Sequence, residues 1–524
     1  MFVTITLLGA FWLSFYVYCK IRFKFAEKLP IVQPFRPFFG NGLDFARKNS
    51  YEIFMNIRSA FRDNKRIFKL CFGPVPVVCP THPDLIQKVL TDSSSMDKPH
   101  VYDFMRIDQG LLCAKYDVWK VHRKVLNPTF NTRILNSFIP IFTDCVNKMI
   151  TNMYKHDNPE KAVNILHYTS PCTLAMICRT SLGGKVLERE GTDQFLEQLE
   201  IILRNVGLRM FNANLHPEIV YRYTRFYRHE MNARKICYAF TDKIIIEKME
   251  EFAHVRQRND TNNNPNALTN GTDGKAANNK VIEEEKDDML AYKKPQIFID
   301  QLMTIPLPDG KLFTHAEITD HIYTMIAAGN ETSATQAAHT ALLLAMHPEI
   351  QEKAVAELKE VMPTADTAYT PEILKQLEYM DRIIKESTRL CPVAAVFGRK
   401  TLADLQLDEF IIPKGNIFII NIFALHRRKE FWGEDAEQFN PDRFLPELCK
   451  NRHPFAYLPF SGGTRGCIGS RYATMSLKTI ISEMLRNFKL TTDIPFEEMK
   501  FKFKVSMHLA YDHRIFLEPR NLYS

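Results

Sequence analysis

From Thr314 to His347 the chain contains no proline, and that stretch limits the folds open to it. Thr314-x-x-Glu317 is a capping box that starts a helix, and Pro348 stops it. At 1.5 Å per residue such a helix spans about 50 Å. Its apolar residues lie almost all round, so it must cross the middle of a large domain. The chain is long enough to supply one: it has 524 residues, 45% hydrophobic and 24% charged, an ordinary globular balance. The centre of the helix breaks the pattern. Ala327–Thr335 (AAGNETSAT) puts glycine and hydroxyls where leucine would pack better, a sacrifice of propensity that points to function.

Helical patterns dominate the remainder, with no internal repeat. Arg66–Cys79 reads as a hairpin turning at Gly73-Pro74. Tyr379–Leu390 reads as a short helix carrying Glu386 and Arg389 on one face. Leu402–Ile412, Asn416–Ile420 and Lys500–Pro519 read as extended pieces. The expected fold is mainly α with small β-sheets (α+β), in one domain over 43–524. Within it, 259–288 is polar, ends in EEEKDD and cannot bury enough surface to order itself, so it reads as a disordered insertion.

Ahead of that domain, Phe2–Cys19 carries no charge and is followed by Lys20, Arg22 and Lys24. Residues 1–19 therefore read as a retained membrane anchor with its basic end in the cytosol, and 20–42, with Pro30, Pro34 and Pro37, as a semi-rigid basic linker. The 11 cysteines follow no zinc or disulfide spacing and read as mostly reduced core residues. A net charge of +8 suits an anionic surface or acidic partner. Without a dense basic run interleaved with aromatics, nucleic acid is not an expected partner.

Residues 460–469 read F-S-G-G-T-R-G-C-I-G. Gly463 and Gly466 permit positive-φ turns, and an amphipathic helix follows from Ile468 to about Asn487. Cys467 thus stands at a helix N-terminus, where free N–H groups favour a thiolate. Gly469, lacking a side chain, lets something flat lie against the turn. Arg465 offers that object a cation, and Phe460 shields the sulfur. Haem fits: a planar macrocycle, an iron that takes one thiolate, and propionates that seek arginine.

This segment resembles the haem-binding signature F-x-x-G-x-R-x-C-x-G of the cytochrome P-450 monooxygenases, matched at every defined position. The remainder is similar to the same superfamily, in the branch holding fatty-acid ω-hydroxylases and many insect enzymes. Glu386-x-x-Arg389 matches its E-x-x-R, and Pro441-Asp442-Arg443-Phe444 its P-E-R-F block with Asp for Glu. The resemblance implies a buried ion triad of Glu386, Arg389 and Arg443. Trp119-x-x-x-Arg123 matches W-x-x-x-R, which implies two donors to the haem propionates, with Arg399 a further one.

Ala328–Ser333 resembles A/G-G-x-D/E-T-T/S. That implies room for dioxygen at Gly329, a Thr332 hydroxyl that bends the helix and serves bound oxygen, and a Glu331 that relays protons. The implied reaction inserts one oxygen atom of O2 into a lipophilic substrate: a fatty acid, a sterol or hormone, or a xenobiotic. The segments expected to line its pocket are His100–Cys113, Met325–Thr332, Val393–Phe397 and Ser506–Leu509.

No nicotinamide or flavin fingerprint occurs in the chain. The electrons of NADPH are therefore expected through the flavins of NADPH–cytochrome reductase, with cytochrome b5 as a second candidate donor. Lys120, His122 and Lys124 form the expected docking patch. The implied location is the endoplasmic reticulum membrane, catalytic domain facing the cytosol. Many members of this branch carry a glutamate, which can esterify haem, where this chain has Ala328; non-covalent haem b is expected here. Two other readings stay open at this stage: a peroxide-consuming haem-thiolate isomerase or dehydratase, and a haem sensor without turnover.

Overall fold

In a computed structural model the proline-free stretch is one helix, and the rest of the chain is built against it. The description covers residues 2–523 apart from 37–38, 43–47, 65, 157, 263–295 and 504–505. Helix makes up about 60% of the protein and the sheets are small, so the fold is mainly α, as expected.

The longer helices are α1 (Phe2–Arg22), α2 (Tyr116–Leu126), α3 (Ile139–Tyr154), α4 (Leu166–Leu182), α5 (Thr192–Phe211), α6 (Arg225–Asn262), α7 (His315–Met346), α8 (Glu378–Leu390) and α9 (Ser470–Asn487). The capping box forms at the start of α7. The Thr314 hydroxyl accepts from the Glu317 N–H at 3.3 Å, and the Glu317 carboxylate accepts from the Thr314 N–H at 2.8 Å. Beyond its middle, α7 is buried on all sides from Ser333 to Ala345 and packs small residues such as Ala337 and Ala341 into the main core. From α9, Ile480, Ile481 and Met484 are fully buried in the same core, each worth roughly 1.5–3 kcal/mol of transfer free energy.

The strands are β1 (Ile67–Phe72), β2 (Val75–Pro80), β3 (Val163–Asn164), β4 (Val396–Lys400), β5 (Leu405–Leu407), β6 (Phe410–Ile412), β7 (Ile417–Asn421), β8 (Phe488–Thr491), β9 (Phe501–Phe503), β10 (Met507–Leu509) and β11 (Arg514–Pro519). They form a four-stranded sheet in the order β1-β2-β7-β4, a three-stranded one, β3-β11-β8, and the pairs β9–β10 and β5–β6. The expected hairpin is β1–β2, turning at Gly73 with φ 62°. Strand β4 was not anticipated: Val396–Lys400 follows Pro392 with a glycine and two cations, which masks its period.

Three boundaries and one reading change. Helix α9 begins at Ser470 rather than Ile468, and α8 at Glu378 rather than Tyr379. The expected insertion starts inside a helix, because α6 runs on to Asn262; residues 263–288 lie outside the described residues. The linker does not stand free. Ala26 and Leu29 are buried in a core with Ile67 and Val78, and the Lys69 N–H donates to the Pro30 carbonyl at 2.8 Å. Asn41 seals it, donating to the Val32 and Pro34 carbonyls and accepting from the Cys71 N–H.

Candidate active site

Two windows open in the buried interior. One is on α7, where Ala327, Ala328, Gly329, Glu331 and Thr332 are accessible between fully buried neighbours. The helix gives up its packing at the AAGNET stretch that the sequence singled out. The other is Cys467, the one exposed cysteine among eleven, all of them free. Its thiol pKa is nonetheless raised, first by burial, while a Gly469 N–H bond and the Arg123 charge oppose the rise. Exposure and desolvation agree if the sulfur lines a recess deep in the protein.

The loop that holds this sulfur is fixed by its backbone. The Cys467 N–H donates to the Phe460 carbonyl at 2.9 Å, and the Gly466 N–H to the Gly463 carbonyl at 3.0 Å. Gly463 has φ 67°, and a Cβ there would lie 1.8 Å from the Leu90 carbonyl oxygen, so no other residue fits. Gly466 does not have the positive φ expected of it; Ser461, with φ 61°, takes the second left-handed turn. At Gly469 the situation is reversed. A Cβ would meet only the Cys467 sulfur, at 3.9 Å, so the chain itself leaves that space open.

Cations crowd the same region, with Asp97 the carboxylate that acts on Arg465. Arg465 donates to the Ala114 carbonyl at 2.8 Å and lies 4.4 Å over the Trp119 ring, but its Nε and Nη1 are buried without partners. Arg399 on β4 reaches the Gly398 carbonyl and Ser461, and its Nε is likewise unpartnered. Burial pushes both guanidiniums down to about 10, and in Arg465 the charge of Arg399 adds to it. Lys98 is driven well below its ordinary value by burial and by those two arginines. Arg123, bound through Nε to Asn127 at 2.7 Å, is lowered by burial and partly restored by the Cys467 sulfur.

Among the described residues none of these four cations has an ion pair. Arg465 and Arg399, buried, mutually repelling and with unsatisfied donors, call for an anionic ligand of their own, and Lys98 and Arg123 stand near it. The donor set therefore fits a flat dianion bearing a thiolate-binding metal: Cys467 for the metal, the open face at Gly469 for the plane, and Arg465, Arg399, Arg123 and Lys98 for the carboxylates. Sequence reasoning missed Lys98, because a single lysine beside Pro99 has no distinguishing pattern.

The Thr332 hydroxyl donates to the Ala328 carbonyl at 2.6 Å, the helix-bending bond expected of it. Glu331 points away from the window, accepting at Oε1 from the Ser506 hydroxyl at 2.8 Å and contacting His508 Nε2 at 2.9 Å. Gly329 also meets a packing demand. A Cβ there would sit 2.8 Å from Ile177 Cδ1, so its size serves the packing of α7 on α4.

The ion cluster assembles. Arg389 holds both oxygens of Glu386 at 2.6 and 2.7 Å, and Arg443 Nε lies 3.4 Å from Glu386. Asp435, not anticipated, completes it by pairing with Arg443. Arg389 also donates to the His426 carbonyl, and His426 Nε2 accepts from the Leu458 N–H at 2.8 Å. Burial keeps that imidazole neutral, so it can serve as this acceptor. The cluster is thus tied to the start of the cysteine loop.

A recess opens at Ala327 and is lined by Met105, Ile107, Leu199, Val206, Tyr323 and Arg234, among others. Only the expected segments around His100–Cys113 and Met325–Thr332 contribute to it. Val393–Phe397 and Ser506–Leu509 do not: Met507 and Leu509 are core residues, and the Met507 N–H donates to the Val393 carbonyl. Helices α5 and α6 supply the missing wall, which their ordinary amphipathic sequences do not announce. Of the expected docking patch, Lys120 and Lys124 are exposed, but His122 is buried, facing His321 at 3.1 Å and Glu317 at 3.4 Å.

The profile of the family described as Cytochrome P450 matches residues 30–510. The chain is similar to cytochrome P450 4c21 of Blattella germanica, 31% identical over 512 residues, which cover 97% of this chain and 96% of that protein. It is 29% identical to cytochrome P450 4V2 of Homo sapiens over 498 residues (94% and 90%), and 30% identical to the probable cytochrome P450 313a4 of Drosophila melanogaster over 446 residues (83% of each).

Proposed function

The chain belongs to the cytochrome P450 family of haem-thiolate monooxygenases, and on that premise we propose that it oxygenates a lipophilic, acidic substrate using NADPH electrons delivered by a reductase. The observation that carries the reading is the exposed Cys467 thiol beside four cations that make no ion pair among the described residues. When bound there, haem supplies activation of O2 and transfer of one of its oxygen atoms to the substrate.

The chain's residues do the rest. Cys467 ligates the iron, and Gly469 leaves the ring room. Phe460, whose carbonyl anchors the cysteine N–H, screens the sulfur. Arg465, Arg399, Arg123 and Lys98 bind the propionates, with Trp119 stacked beneath Arg465. Thr332 presents its hydroxyl at the helix window, and Glu331 holds the proton to be delivered. Gly463 shapes the loop, and Glu386, Arg389 and Arg443 brace it. Ala328 offers no carboxylate, so haem b stays non-covalent and extractable by acid.

The acidic substrate class rests on Arg234. Its Nη2 is buried without a partner, and the residue lines the cavity. Around it Arg106, Arg209, Arg222 and Arg234 face Glu218, Glu230 and Asp320. Among fatty acids, sterol-like hormones and xenobiotics, the unpartnered Arg234 nitrogen favours the acids.

Lys120 and Lys124 are the exposed cations we assign to reductase or cytochrome b5 docking. Among the described residues no helix is long and apolar enough to cross a membrane. We retain the anchor reading on the apolar residues that α1 exposes, Phe11, Leu13 and Val17, and on Lys20 and Arg22 at its end. The endoplasmic reticulum, with the domain in the cytosol, is the location this reading implies.

The test is direct. Reduced under carbon monoxide, the parent protein should show a strongly red-shifted Soret band, and Cys467→Ser should lose it. With reductase and NADPH, the parent should oxygenate members of a fatty-acid panel. A parent without the band sinks the proposal.

A further inference from the structure

Glu331, Ser506 and His508 form a closed triangle behind the helix window. The Ser506 hydroxyl and His508 Nε2 each approach Glu331 Oε1, at 2.8 and 2.9 Å, and they lie 2.9 Å from each other. A carboxylate oxygen only accepts, so Nε2 must carry a hydrogen to sit at that distance. Were Nε2 bare, its lone pair would face the carboxylate and compete for the serine proton. The imidazole is nearly buried, at 8% exposed, and the carboxylate is at 22%. The triangle therefore operates in a medium where a charged hydrogen bond is strong.

His508 is an ionisable side chain in direct contact with Glu331 Oε1. His508 lies on β10, opposite Lys502 of β9, whose ammonium donates to the Ala510 carbonyl. Behind it sit His513 and His339, their rings 5.1 Å apart and fully buried. Burial, first, and the neighbouring imidazoles hold both far below the ordinary imidazole range, so neither carries charge. His508 is a hydrogen-bonded partner of the Glu331 carboxylate that can hold a proton.

We propose that Ser506 and His508 are positioning residues for Glu331: they dock its carboxylate against the β9–β10 hairpin and hand it the proton that it carries to the oxygen side of the pocket. The inference rests on the reading of Glu331 as the proton carrier. In the step, the His508 imidazolium gives its Nε2 proton to Glu331 Oε1, leaving a neutral imidazole and a carboxylic acid. Glu331 turns to the window, releases the proton and returns as carboxylate, and bulk water reprotonates His508. Ser506 marks the docked position.

The test uses the full haem-loaded chain with reductase and NADPH. Product formed per NADPH should fall about tenfold in His508→Leu, with peroxide rising in its place. His508→Gln keeps a donor but has no proton to hand on, so its ratio should be as low as that of His508→Leu. A second readout needs no turnover. Melting temperatures of E331Q, H508L and the double variant should be non-additive, with H508Q close to the parent.

Parent-like coupling in H508L, or additive melting shifts, overturn the proposal. If H508L does not fold, H508Q decides alone: parent-like coupling in it overturns the proposal, and low coupling with a parent-like melting temperature supports it. Loss of the red-shifted carbon monoxide band in the parent would instead strike the underlying site assignment.

Discussion

At Gly463 one added carbon would lie 1.8 Å from the Leu90 carbonyl oxygen, whereas at Arg234 the constraint is a single unpaired nitrogen on the wall of an open cavity. The cysteine loop and the distal cavity are thus held to shape by different parts of the chain. In the loop, backbone meets backbone: Gly463 against Leu90, Cys467 N–H against the Phe460 carbonyl. Around the cavity, side chains from α5, α6 and α7 meet one another, and many apolar sets of similar volume would serve. The loop tolerates few residue types, and the cavity tolerates many.

The contrast breaks most visibly within the loop. Gly463→Ala should cost about 3 kcal/mol or more, because a left-handed backbone and an immovable carbonyl leave no relaxed arrangement. Gly469→Ala should leave the haem-free protein within about 0.5 kcal/mol of the parent, since only the cysteine sulfur is near. Haem retention should nevertheless fall, which the ratio of Soret to protein absorbance would measure. Equal melting temperatures for the two variants would erase the distinction.

On the cavity side the effect is smaller and concerns ligand rather than fold. Arg234→Gln should weaken binding of a long-chain fatty acid about tenfold, the worth of one charge-assisted hydrogen bond, and leave its methyl ester unchanged. Titrating the ferric Soret shift reads both.

The smallest effect lies at the cavity's outer edge. Burial alone would raise the Glu218 carboxyl, but hydrogen bonds from Arg106 and Arg209 hold it down at about 2. A depressed carboxylate contributes fully above its unfolded value and loses that contribution as the pH falls through its folded one. The melting-temperature difference between parent and Glu218→Gln should therefore shrink from about pH 4.5 to about pH 2. The difference should be small throughout, because the side chain is 39% exposed.

The same contrast explains what could be read from the sequence. Cys467, Gly463, Arg465 and the Glu386–Arg389 pair were legible because their spacing reflects backbone geometry, which leaves a fixed trace along the chain. Helix α7 was legible through its capping box and its proline-free length. Lys98, Asp435 and the walls from α5 and α6 were not, since each meets the site through distant tertiary contacts. Gly329 shows the intermediate case: its position was found, but the neighbour that demands a small residue there is Ile177, on another helix. His122 looked like a surface cation beside Lys120 and Lys124, and only the packing of His321 and Phe313 against it places it inside.

The docked segment before the β1–β2 hairpin has a mechanical consequence. With Asn41 clasping Cys71, and Arg22 bonded to the Lys414 carbonyl at 2.7 Å, the first helix is joined to the body by a strut, not a leash. Whatever medium receives that helix also fixes the bearing of the whole body, so the mouth of the chamber cannot swivel freely toward or away from it.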